Sequence, residues 1–127
     1  MEEDYHLKIL TEKVIGAAIE VHRILGPGYL ESVYEEALAI EFDLRKIVFS
    51  RQHIVAVRYK NRSIGEGRLD FLVDNRLVVE LKTVETLLPI HTAQVISYLR
   101  ATDHKLGLLI NFNVHMLKQG VKRVILN

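Results

Sequence analysis

The chain has 127 residues, 49% of them hydrophobic and 26% charged, an ordinary globular balance that excludes a disordered segment and fits one domain spanning residues 1–127. It has no cysteine, which excludes disulfide frameworks and zinc–thiolate sites, and its net charge of +1 excludes coating nucleic acid by bulk electrostatics. No apolar run approaches the roughly 20 residues of a membrane span. The start, Met1-Glu2-Glu3-Asp4, lacks the basic and apolar regions of a signal peptide, so a cytoplasmic location is expected.

From Asp4 to Leu25, the residues Leu7, Leu10, Val14, Ala17, Ala18, Val21, Ile24 and Leu25 recur at spacings of three and four, the stripe of an amphipathic helix. Gly26-Pro27-Gly28 ends it. A second helix is predicted from Tyr29 to Lys46, with Val33, Ala37, Leu38, Phe42 and Leu44 inward and Glu35, Glu36 and Glu41 outward. Strands are predicted at His53 to Tyr59, Ile64 to Val73 and Arg76 to Thr83, with turns at Lys60 to Ser63 and at Asp74-Asn75. Pro89 opens a third helix, Ile90 to Thr102, with Ala93, Val95, Ile96 and Leu99 available for packing. Leu106 to Phe112 has the length of a buried strand, and Val121 to Leu126 reads as an edge strand. The order α-α-β-β-β-α-β-β describes a mixed α/β sandwich.

The chemistry is concentrated in Arg68-Leu69-Asp70-Phe71-Leu72-Val73 and Val78-Val79-Glu80-Leu81-Lys82. Side chains alternate along a strand, so Glu80 and Lys82 share a face, as do Arg68, Asp70 and Leu72, opposite Leu69, Phe71 and Val73. A two-residue loop at Asp74-Asn75 would set Asp70 against Val79. A three-residue loop that includes Arg76 sets it against Glu80, and Asp74 and Asn75 suit the backbone of such a turn. Two carboxylates beside a lysine can hold Mg²⁺ or Mn²⁺, with the Leu81 carbonyl as a further ligand. The cation activates a water for phosphodiester hydrolysis, and Lys82 orients that water or neutralises charge on phosphorus. The same spacing fits a salt-bridged hairpin with Asp70 paired to an arginine. Basic clusters at Arg45-Lys46 with Arg51, at Arg58, Lys60 and Arg62, and at Lys118, Lys122 and Arg123 are either nucleic-acid contacts or solvated surface.

Glu31 sits in the first turn of the second helix, where it serves either the site or the helix end. His91, Gln94 and Tyr98 share one face of the third helix and can reach phosphate, water or the lysine. Alternatively, Tyr98 packs in the core and Gln94 satisfies a buried backbone group. The remaining histidines lack metal-ligand spacing, and His22 stands out only for its nearness to Gly26-Pro27-Gly28. Tyr29 and Tyr34 are expected to pack the two helices together.

Gly28-Tyr29-Leu30-Glu31-Ser32-Val33-Tyr34 has the form G-x-x-E-x-x-Y, and it follows Ile19-Glu20-Val21-His22-Arg23-Ile24-Leu25-Gly26-Pro27. Leu88-Pro89-Ile90-His91-Thr92-Ala93-Gln94, Tyr98-Leu99 and Gly107-Leu108-Leu109-Ile110-Asn111-Phe112 come later. In order and spacing, from about Val14 to Leu126, these segments resemble the GxxExxY protein family of the PD-(D/E)XK nuclease-like superfamily. The resemblance implies a restriction-endonuclease-like core, a central mixed β-sheet flanked by helices. It also implies Asp70, Glu80 and Lys82 as the D…E-x-K core, Glu31 as a helix-borne acid, and Gln94 and Tyr98 on the following helix. Leu69 stands where the superfamily name has proline.

A metal-dependent nuclease acting on DNA is therefore expected, with a homodimer or protein partner supplying specificity that no DNA-reading motif provides. A non-catalytic module that binds nucleic acid or protein on the same scaffold is the alternative.

Overall fold

Two helices, three antiparallel strands, a crossover helix and two further strands follow in the order read from sequence, in a computed structural model that describes residues 2–127. Met1, part of the acidic start, lies outside the described residues. Helix α1 (Glu2–Leu25) buries Val14, Ala17, Ala18 and Val21, while Ile24, expected inward, is exposed at the margin of the stripe. Among the described residues no helix is long and apolar enough to cross a membrane.

Helix α2 (Glu31–Leu44) is shorter than read and turned differently. Its buried line is Tyr34, Leu38, Ala39 and Phe42, whereas Val33 and Leu44 face solvent. Tyr34 sets this phase. Its hydroxyl donates to the Gly26 carbonyl and accepts from the Tyr29 amide, and its ring stacks on Phe112 with centroids 4.6 Å apart. Gly28, at φ 112, makes the turn that Tyr34 clasps. The Tyr34→Phe variant leaves a carbonyl and an amide without their partner and should cost about 1–2 kcal/mol in urea unfolding. An unchanged midpoint would remove the clasp from this account.

Strands β1 (Phe49–Tyr59), β2 (Arg62–Val73), β3 (Leu77–Lys82), β4 (Leu106–Asn111) and β5 (Val121–Ile125) form one sheet in that order. Only β3 and β4 run parallel, joined by the crossover helix α3 (Pro89–Thr102). β5 is an edge strand, as expected, and β1 is the other edge. On one face, α1 and α2 pack over Phe71, Val73, Leu77, Val79, Leu81, Leu108 and Ile110. On the opposite face, Val95 and Leu99 of α3 pack over Leu72, Val78 and Leu109. β3 is therefore covered on both sides, and Glu80 lies within a strand of buried Val and Leu.

Candidate active site at the β2–β3 junction

Val73 pairs with Leu77, so the hairpin loop is Asp74, Asn75 and Arg76, the register that brings Asp70 opposite Glu80. Asp74 and Asn75 take φ of 50 and 53, the left-handed conformation that short polar residues tolerate. Regular pairing stops at Phe71 and Val79. Beyond it the side chains take over: the Asp70 amide donates to Glu80 Oε1 at 3.1 Å, and the Leu81 amide donates to Asp70 Oδ2 at 2.7 Å. Each carboxyl thus fills a backbone position on the other strand. The amide and carbonyl of one strand residue leave by the same edge, so the Leu81 carbonyl also points toward this gap.

Strand alternation does not survive through Asp70. Leu69 packs in the α3-side core with Leu72, whereas Phe71 and Val73 belong to the core under α1 and α2. The expected single face of Leu69, Phe71 and Val73 is therefore broken. Opposite Asp70, Gln52 has φ of 50 and drops out of the β1–β2 pairing, which runs from Arg51–Phe71 to His53–Leu69. Asp70 marks the twist between the two halves of β2.

Glu80 is 4% exposed. Burial first, then the charge of Asp70, push its carboxyl up to about 9. Burial also raises Asp70, partly offset by the Leu81 amide. The two carboxyls also act on each other, Glu80 lowering the pKa of Asp70 and Asp70 raising that of Glu80. Among the described residues, neither Lys82 nor Arg68 lies within ion-pair distance of these carboxyls. The salt-bridged hairpin that the spacing also allowed is not what forms.

Lys82 Nζ instead donates to Gln94 Oε1 at 3.3 Å, and Gln94 Nε2 lies 3.5 Å from the Tyr98 hydroxyl. Burial, then the Glu80 charge, raise the pKa of that hydroxyl. The Tyr98 ring lies so close over Gly67 that a Cβ there would come 2.8 Å from Cε1. Tyr98 therefore packs, as the structural alternative for it had it, and also contacts Gln94. His91 is spent elsewhere: its Nδ1 accepts the Leu88 amide at 2.9 Å and caps α3. His22 holds the Val114 carbonyl at 2.9 Å and is a tether between α1 and the segment after β4.

Glu31 is the first residue of α2 and makes no capping hydrogen bond among the described residues. It is half-buried, and burial and then Asp70 raise its pKa while Lys82 lowers it, so its carboxyl faces the Asp70–Lys82 cluster. Still, among the described residues no three histidine or acidic side chains converge closely enough to hold a metal ion. Glu31 approaches the pair without completing a three-carboxylate set.

Two contributors were not read from sequence. Glu35, expected to face out, adds to the field on Asp70 and is held by Arg51 at 2.9 Å and Gln52 at 2.6 Å. Its spacing of four from Glu31 was the available signal. Asn111, 2% exposed, accepts the Val84 amide at 3.1 Å and donates to the Val84 carbonyl at 2.9 Å, fixing the chain as it leaves Lys82. A polar residue ending an apolar strand was the clue.

The model of the PD-(D/E)XK nuclease superfamily matches residues 8–124. No curated protein matches the chain.

Proposed function

The chain belongs to the PD-(D/E)XK nuclease superfamily, and from that premise we propose that it is a divalent-cation-dependent nuclease that hydrolyses phosphodiester bonds of DNA. Within the superfamily we assign it to the GxxExxY proteins, with the activity in a single domain. The observation that carries the reading is the pair of buried Glu80 and half-buried Asp70, each bonded to a backbone amide of the other strand, with no cationic side chain paired to them among the described residues. Such an arrangement is unfavourable for the fold alone. It suits a cation that would replace the proton of Glu80.

The donor set fits a hard cation. Asp70, Glu80 and the Leu81 carbonyl offer oxygen ligands, and Mg²⁺ is commonly held by one or two carboxylates with water and phosphate oxygens completing its shell. Nucleases of this superfamily generally use Mg²⁺ or Mn²⁺. When bound, the cation would polarise the phosphate and acidify a water. Lys82, steered by Gln94, would orient the attacking water and neutralise charge that grows on the phosphoryl oxygens. Tyr98 holds Gln94 and so acts on Lys82 indirectly. Glu31 would fix water at the rim of the site from the start of α2.

Purified protein should cleave labelled DNA in Mg²⁺ or Mn²⁺, and the cleavage should follow the protein peak through two chromatographic steps and cease in EDTA. Activity that separates from the protein, or none with either cation, contradicts the reading.

A further inference from the structure

The arginines on the α1–α2 side are neutralised: Arg23 by Glu20, Arg45 by Glu41, and Arg51 by Glu35 and Glu36. That removes Arg45 and Arg51 from the basic clusters considered as nucleic-acid contacts. The β1–β2 hairpin differs. Lys60 and Asn61, at φ 48 and 64, close it as a two-residue turn. From Ala56 to Glu66 nearly every residue is exposed, so this stretch is a two-stranded ribbon uncovered on both faces. Between Ile54 and Arg68 it carries Arg58, Lys60, Arg62 and Arg68 against a single acid, Glu66. None of these cations is ion-paired among the described residues. Lys60 only rests over the Tyr59 ring, 5.5 Å from its centre.

Beside the ribbon lies a cleft of about 690 Å³ between β1 and the C-terminal half of α3, with Arg58 on one wall and Arg100 on the other. The same helix borders the candidate active site through Gln94, and Arg100 lies six positions beyond Gln94, a rise of about 9 Å. On β2, Arg68 stands two residues from Asp70. Helix α3 thus borders both the cleft and the site.

We propose that the β1–β2 ribbon and this cleft grip double-helical nucleic acid, with Arg58 and Arg100 on backbone phosphates and the ribbon in the major groove. This rests on the nuclease reading and names how its substrate is held. A two-stranded ribbon fits the width of a major groove, and unpaired guanidinium groups match phosphate geometry. A bulge in the pairing between Val57 and Arg58 increases the local twist of the ribbon.

The test is fluorescence anisotropy of a short labelled duplex, titrated in EDTA at several salt concentrations. Wild-type protein should bind with an affinity that falls as salt rises. The Arg58→Ala/Arg100→Ala double variant should bind at least roughly ten-fold more weakly, with a log–log salt slope flatter by about 2. The control Lys118→Ala/Lys122→Ala, away from β1 and including a residue on the opposite edge strand β5, should bind as the parent does. Equal affinity of the double variant, or an equal loss in the control, overturns the proposal. So does a duplex that fails to bind while the protein sediments as a dimer dissociated by Ile54→Ser/Ile64→Ser, for the ribbon would then be a self-association surface. No cleavage is read in this test. A chain that binds through the ribbon but fails the separate cleavage assay sinks only the nuclease reading, and one that passes that assay while Arg58→Ala/Arg100→Ala binds as the parent does sinks only this proposal.

Discussion

Asp70→Asn is expected to lower cation-dependent DNA cleavage by about 10²–10³-fold or more while the protein keeps its fold. The amide oxygen of asparagine can still accept the Leu81 N–H that Asp70 Oδ2 takes at 2.7 Å, so the β2–β3 junction retains its backbone partner. What is lost is the charge needed to hold a cation. Lys82→Ala should fall by a comparable factor for a different reason, because its ammonium acts on water and phosphate rather than on the fold. The hydrogen bond of that ammonium to Gln94 is at the surface and contributes little stability. Cleavage time courses beside thermal unfolding curves check both variants. Activity that survives either substitution in a folded protein, or unfolding that accounts for its loss, contradicts the assigned roles.

Glu80→Gln should stabilise the metal-free protein at neutral pH, by about 1–3 kcal/mol. The reasoning follows the proton. Glu80 in the folded chain holds its proton up to about 9, whereas in the unfolded chain it ionises near the ordinary value of 4.5. Between those limits the folded state binds more protons than the unfolded state. The Glu80 contribution to the stability of the wild type therefore declines as pH rises from about 4.5 toward 9, and is level outside that window. Glutamine mimics the protonated carboxyl and can accept the Asp70 amide as Glu80 Oε1 does. The variant should be flatter across the window and lead the wild type most at its upper end. Mn²⁺ should reverse the order, since it stabilises only the chain that binds it. Urea midpoints in EDTA and in Mn²⁺ across this range decide the matter. Parallel pH curves for the two proteins would mean that Glu80 is not held protonated.

The hairpin register was legible in the sequence because Asp74 and Asn75 favour the left-handed backbone of a three-residue loop. That register, added to strand alternation at Glu80 and Lys82, was enough to foresee which acids meet. Alternation failed through Asp70 because it assumes an unbroken pleat, and the positive φ of Gln52 on the neighbouring strand belongs to the sheet rather than to the local pattern. The inward face of α2 was misread for a similar reason. Hydrophobicity favoured Val33 and Leu44, but the Tyr34 hydroxyl has two backbone partners in the Gly26-Pro27-Gly28 turn, and these bonds fix the rotation of the helix. The bonds of Lys82 to Gln94 and of Asn111 to Val84 join residues 12 and 27 positions apart, beyond the reach of any local periodicity. Charge counting likewise could not tell the paired Arg45 and Arg51 from the unpaired Arg58.

The most direct measurement is anomalous diffraction from crystals of the protein soaked in Mn²⁺. A peak between the carboxyls of Asp70 and Glu80, within reach of the Leu81 carbonyl and absent from Asp70→Asn crystals, is the expected result. Crystals that take up manganese elsewhere, or show no anomalous peak between those two acids, would contradict the assignment.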